Sequence, residues 1–181
     1  PNLSLLWICL WKGAPVMTFE QIAEFILSKE SADGSGDYQP GSPSDPETKW
    51  GITPGDEAGK PIRDITKHDA IQIIRQRYWA RIRGDDLPWQ VALAVLDCIF
   101  VGGDGVLFLQ RAVGVDADGR IGPVTLRAVN AVMNAEKLAY AVCSMRAIHF
   151  MRVAAKNPLK VKFLGGWANR LAAVIEKIEE G

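Results

Sequence analysis

Four carboxyl groups, Glu30, Asp33, Asp37 and Asp45, fall in one short stretch, and the rings of Tyr38 and Trp50 and the hydroxyls of Thr48 and Thr53 lie among or just after them. This is the inventory needed to hydrolyse a glycosidic bond. One carboxyl, protonated near neutral pH, donates to the leaving oxygen; a second group activates water or stabilises the oxocarbenium-like state. Glu30 suits the first role, because it is expected at the C-terminal end of a helix, where the negative end of the macrodipole disfavours ionisation, and apolar neighbours would raise its pKa further. Asp37, Asp45 or Asp33 is a candidate for the second. Thr48 and Thr53 could hold a water, and Tyr38 and Trp50 could stack on sugar faces. Each has a plainer alternative: a solvated helix-end glutamate, turn-forming aspartates in a Gly/Ser/Pro loop, aromatic loop anchors.

The elements that must position these groups are legible as helices. Thr18 and Gln21 make a capping box for an amphipathic helix in which Phe19, Ile22, Phe25 and Ile26 recur at helical spacing up to about Lys29. From Ser31 to Asp64 the chain is rich in Gly, Pro, Ser and Asp, which predicts an ordered binding loop with a short hairpin around Trp50 to Thr53. Thr66 caps the next helix, with Asp69 at its third position and Ile71, Ile74, Tyr78 and Ile82 on one face, ending near Gly84. Pro88 opens a helix apolar nearly all round, residues 91–101, which belongs at the centre of a core.

Gly102 and Gly103 break that helix. A short helix to about Val113, a turn at Asp116 to Gly119, a helix entered by Pro123, a long helix from Asn134 to about Lys156 and a last one from roughly Leu164 to Glu179 complete the chain. Strand signal is slight, so the fold class is mostly α. The organisation predicted is an extension at 1–16, a subdomain at 17–104 that carries the carboxyl groups, and a helical subdomain at 105–181 packed on it.

Asp97 is a charge inside the most apolar helix. An unpaired charge there is costly, so it must bond a loop backbone or face the cleft, with Arg170 as an ionic partner or a merely solvated residue. His149 reads as a core or surface residue of the long helix, His68 as an exposed first-turn residue. Cys9, Cys98 and Cys143 are odd in number and far apart, which favours buried thiols over a disulfide or zinc site. No metal or other cofactor is expected.

With 181 residues, 48% apolar and a mean hydropathy of +0.03, the chain is an ordinary globular composition. Its 21 basic and 21 acidic side chains cancel, which argues against nucleic acid as a partner and against an anionic membrane surface. Leu3 to Trp11 is apolar, but less than half the ~20 residues that span a bilayer. Met17 reads as a natural start and the residues before it as an extension, with a trimmed export or anchoring signal as the alternative.

The order Glu30, Tyr38, Asp45-Pro46, Thr48, Gly51-Ile52-Thr53, Tyr78-Trp79, Asp97 and Gly166-Trp167-Ala168-Asn169-Arg170 resembles glycoside hydrolase family 108. These are N-acetylmuramidases of phages and bacteria with a lysozyme-like helical fold. The likeness runs from about Met17 to the end. The family glutamate proposed as the acid falls on Glu30 and the family threonine on Thr48. Residues 109–125, with Leu109-Gln110, Asp118-Gly119, Gly122-Pro123 and Thr125, resemble the peptidoglycan-binding module that often follows.

Three departures stand out: an insertion after Glu30, Pro46-Glu47 where the family has paired glycines, and Val101 where it has asparagine. The resemblance implies a peptidoglycan hydrolase that cleaves the β-1,4 bond between N-acetylmuramic acid and N-acetylglucosamine; a monomer is expected. Glu30 would be the general acid; Asp45, Asp37 and Thr48 would fix water or sugar; Tyr38, Trp50, Thr53 and Asp97 would bind substrate. An endolysin made in the cytoplasm and released through a holin to the periplasm or cell wall fits that reading. A wall-binding or secretion-assisting protein without turnover, or a chitin-directed hydrolase, are the alternatives.

Overall fold

The computed structural model describes residues 16–30, 36–42, 46–55 and 59–180. The expectation for the first sixteen residues therefore lies outside the described residues, Val16 apart. Among the described residues there are seven α-helices and no strand: α1 Phe19–Leu27, α2 Lys67–Ile73, α3 Trp89–Phe100, α4 Gly105–Ala112, α5 Pro123–Asn130, α6 Ala135–Lys156 and α7 Leu164–Glu179. The mostly α, lysozyme-like class is the one found.

Local chemistry explains most boundaries. Thr18 accepts from Gln21 N–H while the Gln21 side chain accepts from Thr18 N–H, the expected capping box, and Thr66 with Asp69 repeats the device before α2. Asn134 caps α6 through Lys137 N–H, and Pro123 stands in the first turn of α5. Beyond Ile73 the helix departs from expectation. Over Ile74–Trp79 the turn widens to a π-helix, with Ala80 N–H bonding back to the Arg75 carbonyl, rather than running on as α-helix. The wider turn lets Ile73, Ile74, Trp79 and Ile82 all be buried, and leaves Tyr78 edge-on to Phe100 at 5.2 Å.

All twelve residues of α3 are buried, as its uniform hydrophobicity predicts. Helix α6 lies along it, α4 and α7 close the other sides, and a single hydrophobic core runs from Phe19 to Ile178. The long loop carries only two isolated antiparallel bridges, Gln39 with Thr48 and Lys49 with Ile52, so the expected hairpin is reduced to one tight turn. Both central residues of that turn, Trp50 (φ 55°) and Gly51 (φ 72°), lie in the left-handed region that suits a two-residue hairpin turn. Ile52, wholly buried, pins the turn to the core.

Candidate active site

Glu30 stands just past α1, its N–H bonded to the Leu27 carbonyl in a last tight turn. Its side chain is 17% exposed, and one carboxylate oxygen, Oε1, accepts from Arg170 Nη1 at 2.6 Å. The other faces the hairpin turn. A Cβ added to Gly51 would sit 2.7 Å from Glu30 Oε2 and 2.8 Å from the Phe100 ring, so only glycine lets the turn approach the carboxyl this closely.

Burial, the largest influence, pushes the Glu30 carboxyl above its ordinary value. The charge and hydrogen bond of Arg170 oppose this and the charge of Asp97 adds to it. Arg170 on α7 is shared. Its Nε donates to Asp97 Oδ1 at 2.9 Å; Nη2 lies 2.8 Å from the same oxygen but at an angle that makes the contact electrostatic only. Arg146 on α6 holds the other oxygen, Nη1 to Oδ2 at 2.6 Å.

Two carboxylates and two guanidinium groups thus alternate, Glu30, Arg170, Asp97, Arg146, with formal charges that cancel. In a low-dielectric interior such an arrangement persists only when every charge has a partner. Asp97 is 0% exposed and Arg146 2%, so neither charge is solvated by bulk water. The expectation that Asp97 binds substrate is corrected: α3 is buried all round, and its carboxylate touches the two arginines instead of the cleft. Its effect on Glu30 passes through Arg170.

The remaining sequence-predicted residues surround the turn less tightly. The Trp50 indole covers Gly36, where any side chain would collide with it, and so ties the start of the loop to the turn. Tyr38 is exposed and donates from its hydroxyl to Glu47 Oε2 at 2.5 Å, a bond to the residue that replaces a family glycine. Thr48 is half-buried and paired through its backbone with Gln39; Thr53 is half-buried beside Ile52. Asp37 is exposed next to Tyr38. Asp33 and Asp45 lie outside the described residues. Cys98 and Cys143 are buried free thiols, their pKa values pushed by burial to about 12 and about 11.

Arg146 was not foreseen. A signal for it exists: Ala139, Val142 and Cys143 form the buried stripe of α6, and Arg146 is the next position on that stripe, where a charge needs a buried acid. The peptidoglycan-module motif turns its polar groups inward. Gln110, 1% exposed, donates to Asp118 Oδ1 at 2.7 Å and to the Arg120 carbonyl at 3.0 Å, lies 3.3 Å from Thr125 Oγ1, and accepts from Gly119 N–H at 2.9 Å. These residues hold the turn that launches α5.

Residues 23–103 match the family model described as Glycosyl hydrolase 108, and residues 104–172 the one described as Predicted Peptidoglycan domain. No curated protein matches. Among solved structures the chain is similar to SagA of Brucella abortus, with 31% identity and a TM-score of 0.71 over 88% of this chain and 92% of that one. An all-helical glycoside hydrolase joined to a peptidoglycan-binding module is the class these findings define. The chain belongs to the glycosyl hydrolase 108 family. The peptidoglycan-binding module points to the cell wall as the place of action, and no helix among the described residues is long and apolar enough to cross a membrane.

Proposed function

We propose that the protein is an N-acetylmuramidase that hydrolyses the β-1,4 bond between N-acetylmuramic acid and N-acetylglucosamine, with Glu30 as the general acid. The observation that carries this is the environment of one carboxyl. Glu30 is mostly buried against a glycine turn and Phe100, its pKa is raised, and Trp50 and Tyr38 stand on the adjoining loop. A general acid must hold its proton close to the working pH, and burial supplies that bias. Arg170 counters it. As the glycosidic C–O bond breaks, its oxygen takes the Glu30 proton, and Arg170 steadies the carboxylate left behind.

The second catalytic group falls to Asp37, Asp45 or Thr48, all of which follow Glu30 within 18 residues of sequence. An endolysin role, with release to the wall through a holin, is consistent with peptidoglycan as substrate. The short Arg170 contact supports a second reading, a wall-binding protein that keeps Glu30 ionised and has no turnover.

Purified sacculi separate the two. The parent should generate new reducing ends, and Glu30→Gln should lose roughly 10²–10⁴ of that rate while still binding sacculi and melting cooperatively. A Glu30→Gln protein that lyses as well as the parent ends the assignment of Glu30. A parent that binds but liberates no reducing ends selects the wall-binding reading, and cleavage of chitin oligomers in preference to sacculi would move the substrate to chitin.

A further inference from the structure

Beyond the acid, the C-terminal end of α3, α4, α6 and α7 enclose a concavity of ≈ 170 Å³, lined among others by Val101, Phe108, Arg146, His149, Phe150 and Trp167. We propose that it is a subsite for one N-acetylhexosamine of the glycan strand, seated beside the bond that is cut. The inference rests on the muramidase reading for its substrate, but its evidence is separate.

The walls have the make-up of a small-molecule site, apolar and aromatic with few polar groups. Trp167 stacks with Phe150 at 4.7 Å and 19°, and with Phe163 at 6.0 Å and 29°, which builds a rigid aromatic wall. Phe163 is 43% exposed, and the ammonium groups of Lys160 and Lys162 lie 5.3 and 5.0 Å from its ring, so the wall extends to a solvated, hydrogen-bonding rim. The size suits one acetamido group with part of its ring, the room of roughly five or six waters at ~30 Å³ each.

The polar groups indicate what should enter. Arg146 Nε–H is buried and has no acceptor among the described residues, although Nη1 of the same guanidinium is bonded to Asp97. A buried donor left unsatisfied costs about 1–3 kcal/mol. An acetamido carbonyl would supply the missing acceptor, and its methyl group would find Phe108 and Val153. A neutral carbonyl also suits an arginine whose charge is already matched by Asp97, where a second carboxylate would not.

Backbone choice at the rim agrees. Gly165 and Gly166 stand in the first turn of α7, and a Cβ at either would meet no atom within 4 Å, so packing does not require them. Helical glycine costs up to roughly 1 kcal/mol against alanine. Bare backbone there keeps the approach to Trp167 open. Trp167 also sits one helical turn from Arg170, which holds Glu30, so a strand that fills this subsite runs on toward the acid.

The test uses the full-length Glu30→Gln protein, in which the glycan is not consumed, and follows the indole N–H signal of Trp167 by NMR. N-acetylglucosamine should shift that signal saturably and glucose should not. Val153→Phe, which fills the pocket, should abolish the shift; Val101→Trp, at the exposed rim, tests the same blockage without touching the core. In the active parent background either change should raise KM for sacculi about ten-fold, more than it lowers kcat. A Trp167 signal that ignores N-acetylglucosamine while that of Trp50 responds overturns the subsite. So does an equal response to glucose, or a response only to a free stem peptide. If the parent releases no reducing ends, the muramidase reading fails, and the indole titration still decides whether the pocket takes the sugar.

Discussion

Arg170 Nη1 donates to Glu30 Oε1 at 2.6 Å across 140 residues of chain, joining the last helix to the end of the first. The same guanidinium binds Asp97 of the central helix, so one side chain fixes the acid, the core and α7 together. It also sets two opposed demands on Glu30. Burial favours the neutral acid and Arg170 the carboxylate, and burial is the larger.

That balance makes Glu30 a stability liability at neutral pH. Its folded pKa lies above the ordinary 4.5, so its favourable contribution is present below that value and is lost as pH rises through the folded one. Glu30→Gln should therefore melt with the parent at acid pH and above it at neutral pH, each kcal/mol appearing as about 2–4 °C in a chain of this size. Calorimetry across the pH range measures it. A Gln variant less stable at pH 7 than at pH 4, relative to the parent, contradicts the sign.

Removing the opposing arginine should move the activity profile. In Arg170→Met the Glu30 pKa rises further, and the alkaline limb of kcat shifts to higher pH, while Arg170→Lys, which keeps a charge but not the fork, shifts it less. Initial rates on sacculi against pH provide the measurement. An unmoved limb would mean that Arg170 does not govern the acid.

Asp97 and Arg146 should behave as one unit. Asp97→Asn alone strands the Arg146 charge and should cost about 3–5 kcal/mol, whereas Arg146→Met leaves Asp97 its Arg170 partner and should cost less. The double variant should fall short of the sum by roughly 1–3 kcal/mol, because the second change removes a group already stranded. Urea unfolding of the four proteins closes the cycle, and strict additivity would deny the contact at 2.6 Å.

The turn offers a test of geometry. Gly51→Ala places a methyl group 2.7 Å from Glu30 Oε2 at a backbone φ of 72°, so it should displace the acid and lower kcat by about ten-fold or more. Gly59→Ala is the control: its φ is 77° but nothing lies within 4 Å of the added carbon, so it bears the backbone strain, roughly 1–2 kcal/mol, without touching the site. Equal activity in the two variants would show that the contact with the carboxyl is immaterial.

Much of the scaffold was legible without coordinates, because the signals are local. The capping boxes at Thr18 and Thr66, the Asn134 cap, Pro123 and the uniformly apolar α3 each act within a few residues, and each element stands where its own sequence puts it. The π-helix at Ile74–Trp79 was not, since an α and a π turn share the same composition and only the packing of Trp79 and Tyr78 chooses between them.

Glu30 was legible as an acid at a helix end, because the types and order of residues around it are the chemistry. Its electrostatic state was not. That depends on Asp97, Arg146 and Arg170, which lie 49 and 73 residues apart along the chain pairwise from Asp97 and meet only when α3, α6 and α7 pack. The sequence by itself determined the helices, the family likeness and the carboxyl at the end of the first helix on which the proposed chemistry rests. Tertiary structure decided that Asp97 faces two arginines rather than the cleft, and that Gly51 rests on the acid. The physical reason is that burial and charge pairing are properties of neighbours in space, and the pair energies that set them have no trace in local spacing.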